Sequence, residues 1–234
     1  MDIAQNFESI RRRMAEACAR AKRNPADVTL LAVTKGQSAR AIEAAIECGQ
    51  LLFGENKVQE AKAKIPLCPG RARWHMIGHL QSNKCRDAVH LFSMIESVDS
   101  LDLAREIDRM ADKSAKTVPI LVEVNLAGES SKFGYKAEAL LAELKEINAL
   151  NKIEVHGLMT VPPFSPTPER SRSYFQQLSA LKTKCEEILG APLPHLSMGM
   201  SGDFEIAIEE GATIVRVGTA LFGPRVYAAK NTAD

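Results

Sequence analysis

The sequence predicts a parallel α/β fold, closed as a single (β/α)8 TIM barrel with an extra N-terminal helix. Three observations carry that expectation. Eight short apolar runs alternate with stretches of helical periodicity, at about thirty residues per unit. The runs read apolar on both faces, as parallel strands covered by helices do. The length of 234 residues is close to the roughly 250 of such barrels. An open doubly wound sheet is the alternative, but the G-x-G-x-x-G turn after its first strand is lacking.

The elements follow in order. Ile3, Phe7, Ile10, Met14, Ala17, Cys18 and Ala21 recur at helical spacing, giving an amphipathic helix over about 2–22 that ends before Pro25. The barrel is expected over about 28–226, so that residues 1–234 form one domain. Val28-Thr29-Leu30-Leu31-Ala32-Val33-Thr34-Lys35 reads as the first strand, with a lysine at its last position. Ser38 caps a helix stopped by Gly49. A second strand covers 51–54, and Asn56 with Gln59 three residues on makes a variant capping box for the next helix. Strands are expected at 73–77, 92–98, 118–126 (with Pro119 early in it) and 153–160, and helices at 81–90, from Ser100, and around Leu140 to Leu150. Thr167-Pro168 opens a helix carrying Phe175, Leu178, Leu181, Cys185 and Ile188. A short strand at 195–198, a helix capped by Ser201 and ending at Gly211, and a last strand at 213–217 complete the count.

Composition narrows the function classes. Thirty basic and 29 acidic residues leave a net charge of +1, which makes no electrostatic case for nucleic acid or an anionic membrane. No apolar run approaches a membrane span, and Asp2, Gln5, Asn6 and Glu8 interrupt any signal-peptide core. The five cysteines are odd in number and scattered without a C-x-x-C pair, so no metal site is expected and the thiols fit a reducing cytoplasm.

In a barrel of this kind chemistry sits at the C-terminal ends of the strands. Lys35 lies there, as do Asn56, His75 and Met159-Thr160. The loops after strands seven and eight, Ser197-Met198-Gly199-Met200-Ser201-Gly202 and Gly218-Thr219, let backbone N–H groups approach an anion. Tight-turn geometry is the better explanation of either loop alone; two such loops at the right places in one barrel point to a phosphate. Arg216 shares a strand face with Ile214 and Gly218, opposite Val215 and Val217, and so points into the barrel. There it requires an anion, a ring nitrogen or a carboxylate, for which Glu123 is the structural candidate. An amine, an anion site and an inward arginine together fit pyridoxal 5′-phosphate: aldehyde to Lys35, phosphate to the loops, pyridine nitrogen to Arg216. An aldolase using a lysine imine is the alternative without a cofactor. His75 and Asn56 are candidate contacts to the ring or its substituents, with a hydrogen-bonded core histidine and a helix cap as their alternative readings. Lys132 and Lys84 are surface lysines by default, with a second, transient aldehyde or phosphate contact as the alternative.

Ala32-Val33-Thr34-Lys35, Phe53-Gly54-Glu55-Asn56, the run from Trp74 to Lys84, Ser131-Lys132-Phe133-Gly134, Gly157-Leu158-Met159-Thr160, the run from Leu196 to Ser201, and the run from Val215 to Gly223 resemble the YggS/PROSC family of pyridoxal phosphate homeostasis proteins. The resemblance runs from residue 32 to 223. It implies a fold-type III barrel like the N-terminal domain of alanine racemases, with the cofactor on Lys35 as a Schiff base and phosphate contacts near Ser201, Gly218 and Thr219. It also implies a role in vitamin B6 supply rather than established catalysis. Gly36-Gln37-Ser38 departs from the proline-containing segment that follows the lysine in many members.

A weak racemase or another pyridoxal phosphate enzyme is the alternative function. Racemisation needs an acid/base on each face of the carbanion. The resemblance places the second one, a tyrosine, in an added β-domain, and Tyr135, Tyr174 and Tyr227 have no evident claim to its role. The expectation is therefore a monomer that binds the cofactor reversibly and buffers it or delivers it to apo-enzymes.

Overall fold

A computed structural model describes residues 2–129 and 133–223. Eight strands, each hydrogen-bonded to the next in chain order, close into a barrel: β1 (Thr29–Val33), β2 (Leu52–Glu55), β3 (Arg73–Met76), β4 (Met94–Val98), β5 (Val118–Glu123), β6 (Ile153–Met159), β7 (His195–Ser197) and β8 (Ile214–Val217). All neighbours are parallel, and closure comes from β8 lying beside β1 with Leu31 opposite Arg216 and Ala32 opposite Val217. Around them run α1 (Ile3–Arg20), α2 (Ala39–Glu47), α3 (Val58–Lys64), α4 (Cys85–Leu91), α5 (Leu101–Lys113), α6 (Ala137–Asn148), α7 (Arg172–Leu189), α8 (Phe204–Glu209) and α9 (Thr219–Phe222). None of the described helices is long and apolar enough to cross a membrane.

The pleat sorts side chains into two cores. Outward residues meet the helices in a large apolar shell. Inside the barrel Leu31, Val33, Leu52, Met94, Leu121, Met159 and Ile214 form a separate cluster, and four polar residues stand with them: His75, Glu96, Ser197 and Arg216, all buried. Such a set survives burial only when its members satisfy one another.

Helix α1 is the extra element. The Asp2 carboxylate accepts from Ala4 N–H at 2.9 Å, and Phe7, Ile10, Met14, Ala17 and Cys18 are buried along one stripe. Helix α1 fastens the end of the barrel that follows β7 and β8. Arg13 pairs with Glu205 at 2.8 Å, Asn6 Nδ2 donates to Leu221 O at 2.8 Å, and Phe7 meets Phe222 edge-on at 6.1 Å.

Several local expectations are corrected. Strand β1 ends at Val33, so Lys35 sits in the turn beyond it, where Gly36 takes φ +72°. The cap of α3 is Lys57, with no side-chain bond, because Asn56 turns toward the barrel mouth instead. Helix α8 starts two residues later than expected, with Asp203 rather than Ser201 at its cap position. The predicted helix at 81–90 begins as a 3-10 turn, Ser82–Lys84, before α4. Ser38 does cap α2, accepting from Ala41 N–H at 3.3 Å, and Gly49 follows that helix at φ +80°.

Candidate functional site

The C-terminal mouth of the barrel holds a pocket of about 440 Å³, within the range of small-molecule sites. Lys35, Asn56, Met200, Ser201, Arg216, Gly218 and Thr219 line it together. The loop after β6 adds Val161, Pro163, Phe164, Ser165 and Pro168 as an outer wall, where Phe164 is 92% exposed. His75, Met159 and Ser197 lie beneath the pocket rather than on its surface.

The turn bearing Lys35 is held by side chains from β2 and α3. Thr34 Oγ1 donates to Glu55 Oε1 at 2.6 Å, Lys64 Nζ donates to Thr34 O at 2.7 Å, and Gly36 N–H donates to Glu60 Oε1 at 2.5 Å. Burial pushes the Glu55 carboxyl up, against the opposing bonds from Lys64 and Thr34. At Glu60 burial is outweighed by the bonds from Lys64 and Gly36, and the carboxyl is held below its ordinary range.

Arg216 is 4% exposed. One terminal nitrogen donates to Ser197 Oγ and the other to Thr160 O, both at 2.7 Å. Ser197 in turn donates to Glu96 Oε2 at 2.5 Å, and His75 Nδ1 meets Glu96 Oε1 at 2.6 Å. One chain of bonds thus crosses the barrel from β8 through β7 and β4 to β3. Burial alone would raise the Glu96 carboxyl, but the His75 hydrogen bond and the Arg216 charge hold it below the ordinary range. The carboxylate tied to Arg216 is therefore Glu96, reached through Ser197, while Glu123 contributes only its field. Sequence reasoning missed Glu96, although it shares the inward face of Met94 two residues before it. His75 is both a core histidine and a support of the pocket floor.

The two glycine-rich loops meet around Ser201. Its hydroxyl accepts from Gly218 N–H and Ala220 N–H, each at 3.3 Å, so it serves the start of α9 rather than α8. Asp203 lines the pocket too, but its Oδ1 accepts from Met200 N–H at 2.7 Å and its Oδ2 from Ser171 Oγ at 2.8 Å. Among the described residues, the N–H groups of Ser201, Gly202 and Thr219 have no acceptor. These are three donors on a pocket wall at the site where such barrels take phosphate. The buried Oδ1 of Asn56 likewise has no donor among the described residues. The residues present therefore fit an anionic group against the β7 and β8 loops and a polar ring toward Asn56 and Arg216.

Lys84 lies in the 3-10 turn and does not line the pocket. Lys132 and Tyr227 lie outside the described residues. Tyr135 is buried and its hydroxyl donates to Glu143 at 2.8 Å, and neither it nor Tyr174 is a lining residue.

Known proteins are similar to this chain at two levels. The family model "Alanine racemase, N-terminal domain" matches residues 2–226. A pyridoxal phosphate homeostasis protein of Aquifex aeolicus (strain VF5) is 40% identical over 228 residues, which cover 97% of this chain and 100% of that one. PipY of Synechococcus elongatus PCC7942, solved with PLP bound, superposes with a TM-score of 0.83 at 37% identity, over 94% of this chain and 100% of that one. An alanine racemase of Bartonella henselae, at 16% identity, has a TM-score of 0.70 over 96% of this chain and 59% of that one, which shows a common fold.

Proposed function

This chain belongs to the alanine racemase N-terminal domain family, and within it to the pyridoxal phosphate homeostasis proteins; from that premise we propose that it holds pyridoxal 5′-phosphate reversibly on Lys35 and buffers or delivers it within the vitamin B6 supply. The observation that carries this reading is the meeting of Lys35, Arg216 and three acceptor-free N–H groups in one pocket. When bound, the cofactor supplies an aldehyde that condenses reversibly with an amine. Ser201, Gly202 and Thr219 bind its phosphate through backbone N–H groups.

Arg216 orients the ring by donating to its nitrogen. A guanidinium gives up no proton at physiological pH, so the ring nitrogen stays unprotonated and the cofactor is a weak electron sink. That suits holding better than broad amino-acid chemistry. Lys35 at a half-buried position in the mouth remains within reach of water, which allows the covalent link to hydrolyse. The chain acts as a monomer in the cytoplasm, where its five free thiols fit the redox state, and its clients are apo-enzymes that need the cofactor.

Titration with pyridoxal 5′-phosphate tests the reading. A yellow absorption band should appear with the wild-type protein and be absent with Lys35→Ala. An undiminished band in Lys35→Ala contradicts the proposal. Transfer to an apo-enzyme faster than free dissociation allows supports delivery, and turnover of alanine with solvent deuterium entering at Cα contradicts the carrier role.

A further inference from the structure

The trio Lys64, Glu55 and Glu60 bonds to the residues on either side of Lys35 without lining the pocket. We propose that it is a positioning device that fixes where the Lys35 amine stands, an inference that rests on Lys35 being the anchor. Thr34 and Gly36, the residues on either side of Lys35, are each tied to it. The Thr34 carbonyl accepts from Lys64 Nζ at 2.7 Å, the Thr34 hydroxyl donates to Glu55 at 2.6 Å, and Gly36 N–H donates to Glu60 at 2.5 Å. Lys64 closes the set by donating to Glu55 Oε1 at 2.6 Å and Glu60 Oε1 at 2.8 Å.

The chemistry of Lys64 separates it from its neighbour. An ammonium has three protons, and Lys64 has three acceptors for them: Thr34 O, Glu55 Oε1 and Glu60 Oε1. Its side chain is 9% exposed and that of Glu55 0%. Lys64 is thus a brace rather than a second nucleophile. Buried ionic sets seldom add net stability over apolar side chains of the same volume. What this one does is hold a three-residue turn whose last member is at φ +72°, just beyond the end of β1.

Position matters because the reaction has two fixed ends. The phosphate is seated at the β7 and β8 loops and the ring separates it from the aldehyde by a set distance. Lys35 Nζ, as the neutral amine, adds to the aldehyde carbon; a C=N bond replaces C=O and one water leaves, with no oxidant or reductant involved. The advantage of the covalent link over binding of the ring and phosphate alone then depends on the amine already standing in reach.

The test compares two ligands on the full chain. Pyridoxal 5′-phosphate reports the link, and pyridoxine 5′-phosphate, with an alcohol in place of the aldehyde, reports the pocket alone. For Glu60→Ala and Lys64→Met the first should bind about tenfold more weakly or worse, while the second changes less than about twofold. Glu60→Gln, which keeps an oxygen for Gly36 N–H, should recover most of the loss. Glu60 has a side chain 28% exposed, so its variants keep the test available if Lys64→Met fails to fold. Equal weakening for both ligands, or no weakening for either, overturns the positioning role and leaves the proposed function standing. Failure of the wild-type protein to form the link overturns both.

Discussion

Glu123 is the inward acid that the sequence offered to Arg216, and the structure gives it a different property. Burial, helped by the charge of Asp99, pushes its carboxyl up to about 7, with Arg216 opposing. The folded chain therefore keeps this proton where the unfolded chain has lost it. The stabilisation is present in full below about pH 4.5 and is lost as pH rises through 7. We expect a loss on the order of 2 kcal/mol between pH 5 and 8, less than the full shift implies because the group is partly exposed. Urea unfolding at both values should show Glu123→Gln gaining stability over the wild type at pH 8 and not at pH 5; an unchanged pH slope contradicts the assignment. At this scale Lys35 and Arg216 were legible because a charge at the end or inside of an apolar strand is out of place. Glu96 carried the same signal in Met94-Ile95-Glu96-Ser97-Val98. Lys64 carried none: on a short polar helix it reads as one of two solvated lysines.

The loops after β7 and β8 act as one element because Ser201 joins them. Removing its hydroxyl in Ser201→Ala frees the Gly218 and Ala220 N–H groups and loosens the wall proposed to take the phosphate. Affinity for pyridoxine 5′-phosphate, read by calorimetry, should fall by about 1 kcal/mol, with the fold intact; unchanged affinity contradicts the placement of the phosphate. Glycine spacing made these loops visible in the sequence. Gly199 is required there, since it takes φ +90° and a Cβ would lie 2.5 Å from that of Ala207. The Ser38 cap was read correctly, whereas those at Asn56 and Ser201 were misread for one physical reason. Serine and asparagine serve helix starts and ligand sites with the same atoms, so Asn56 and Ser201 look alike in either role until the path of the backbone after each strand is known.

For the whole molecule, eight alternating units were enough to foresee closure, and β8 against β1 in register delivers it. Closure brings Lys35 and Arg216, 181 positions apart in the chain, onto one pocket. The sequence does not show that α1 fastens the far side of that pocket, because amphipathic spacing gives a face but not its partner. Phe7, fully buried against Phe222, measures that role. Phe7→Ala should cost about 3–5 kcal/mol in chemical unfolding and weaken phosphate binding through α9. A loss under about 1 kcal/mol contradicts the account of α1 as a fastening helix.

The most direct measurement of the central claim is borohydride reduction of the protein mixed with pyridoxal 5′-phosphate, followed by peptide mapping. The reduced adduct should sit on Lys35, one per chain. An adduct on Lys64 or spread over surface lysines, with Lys35 unmodified, would contradict it.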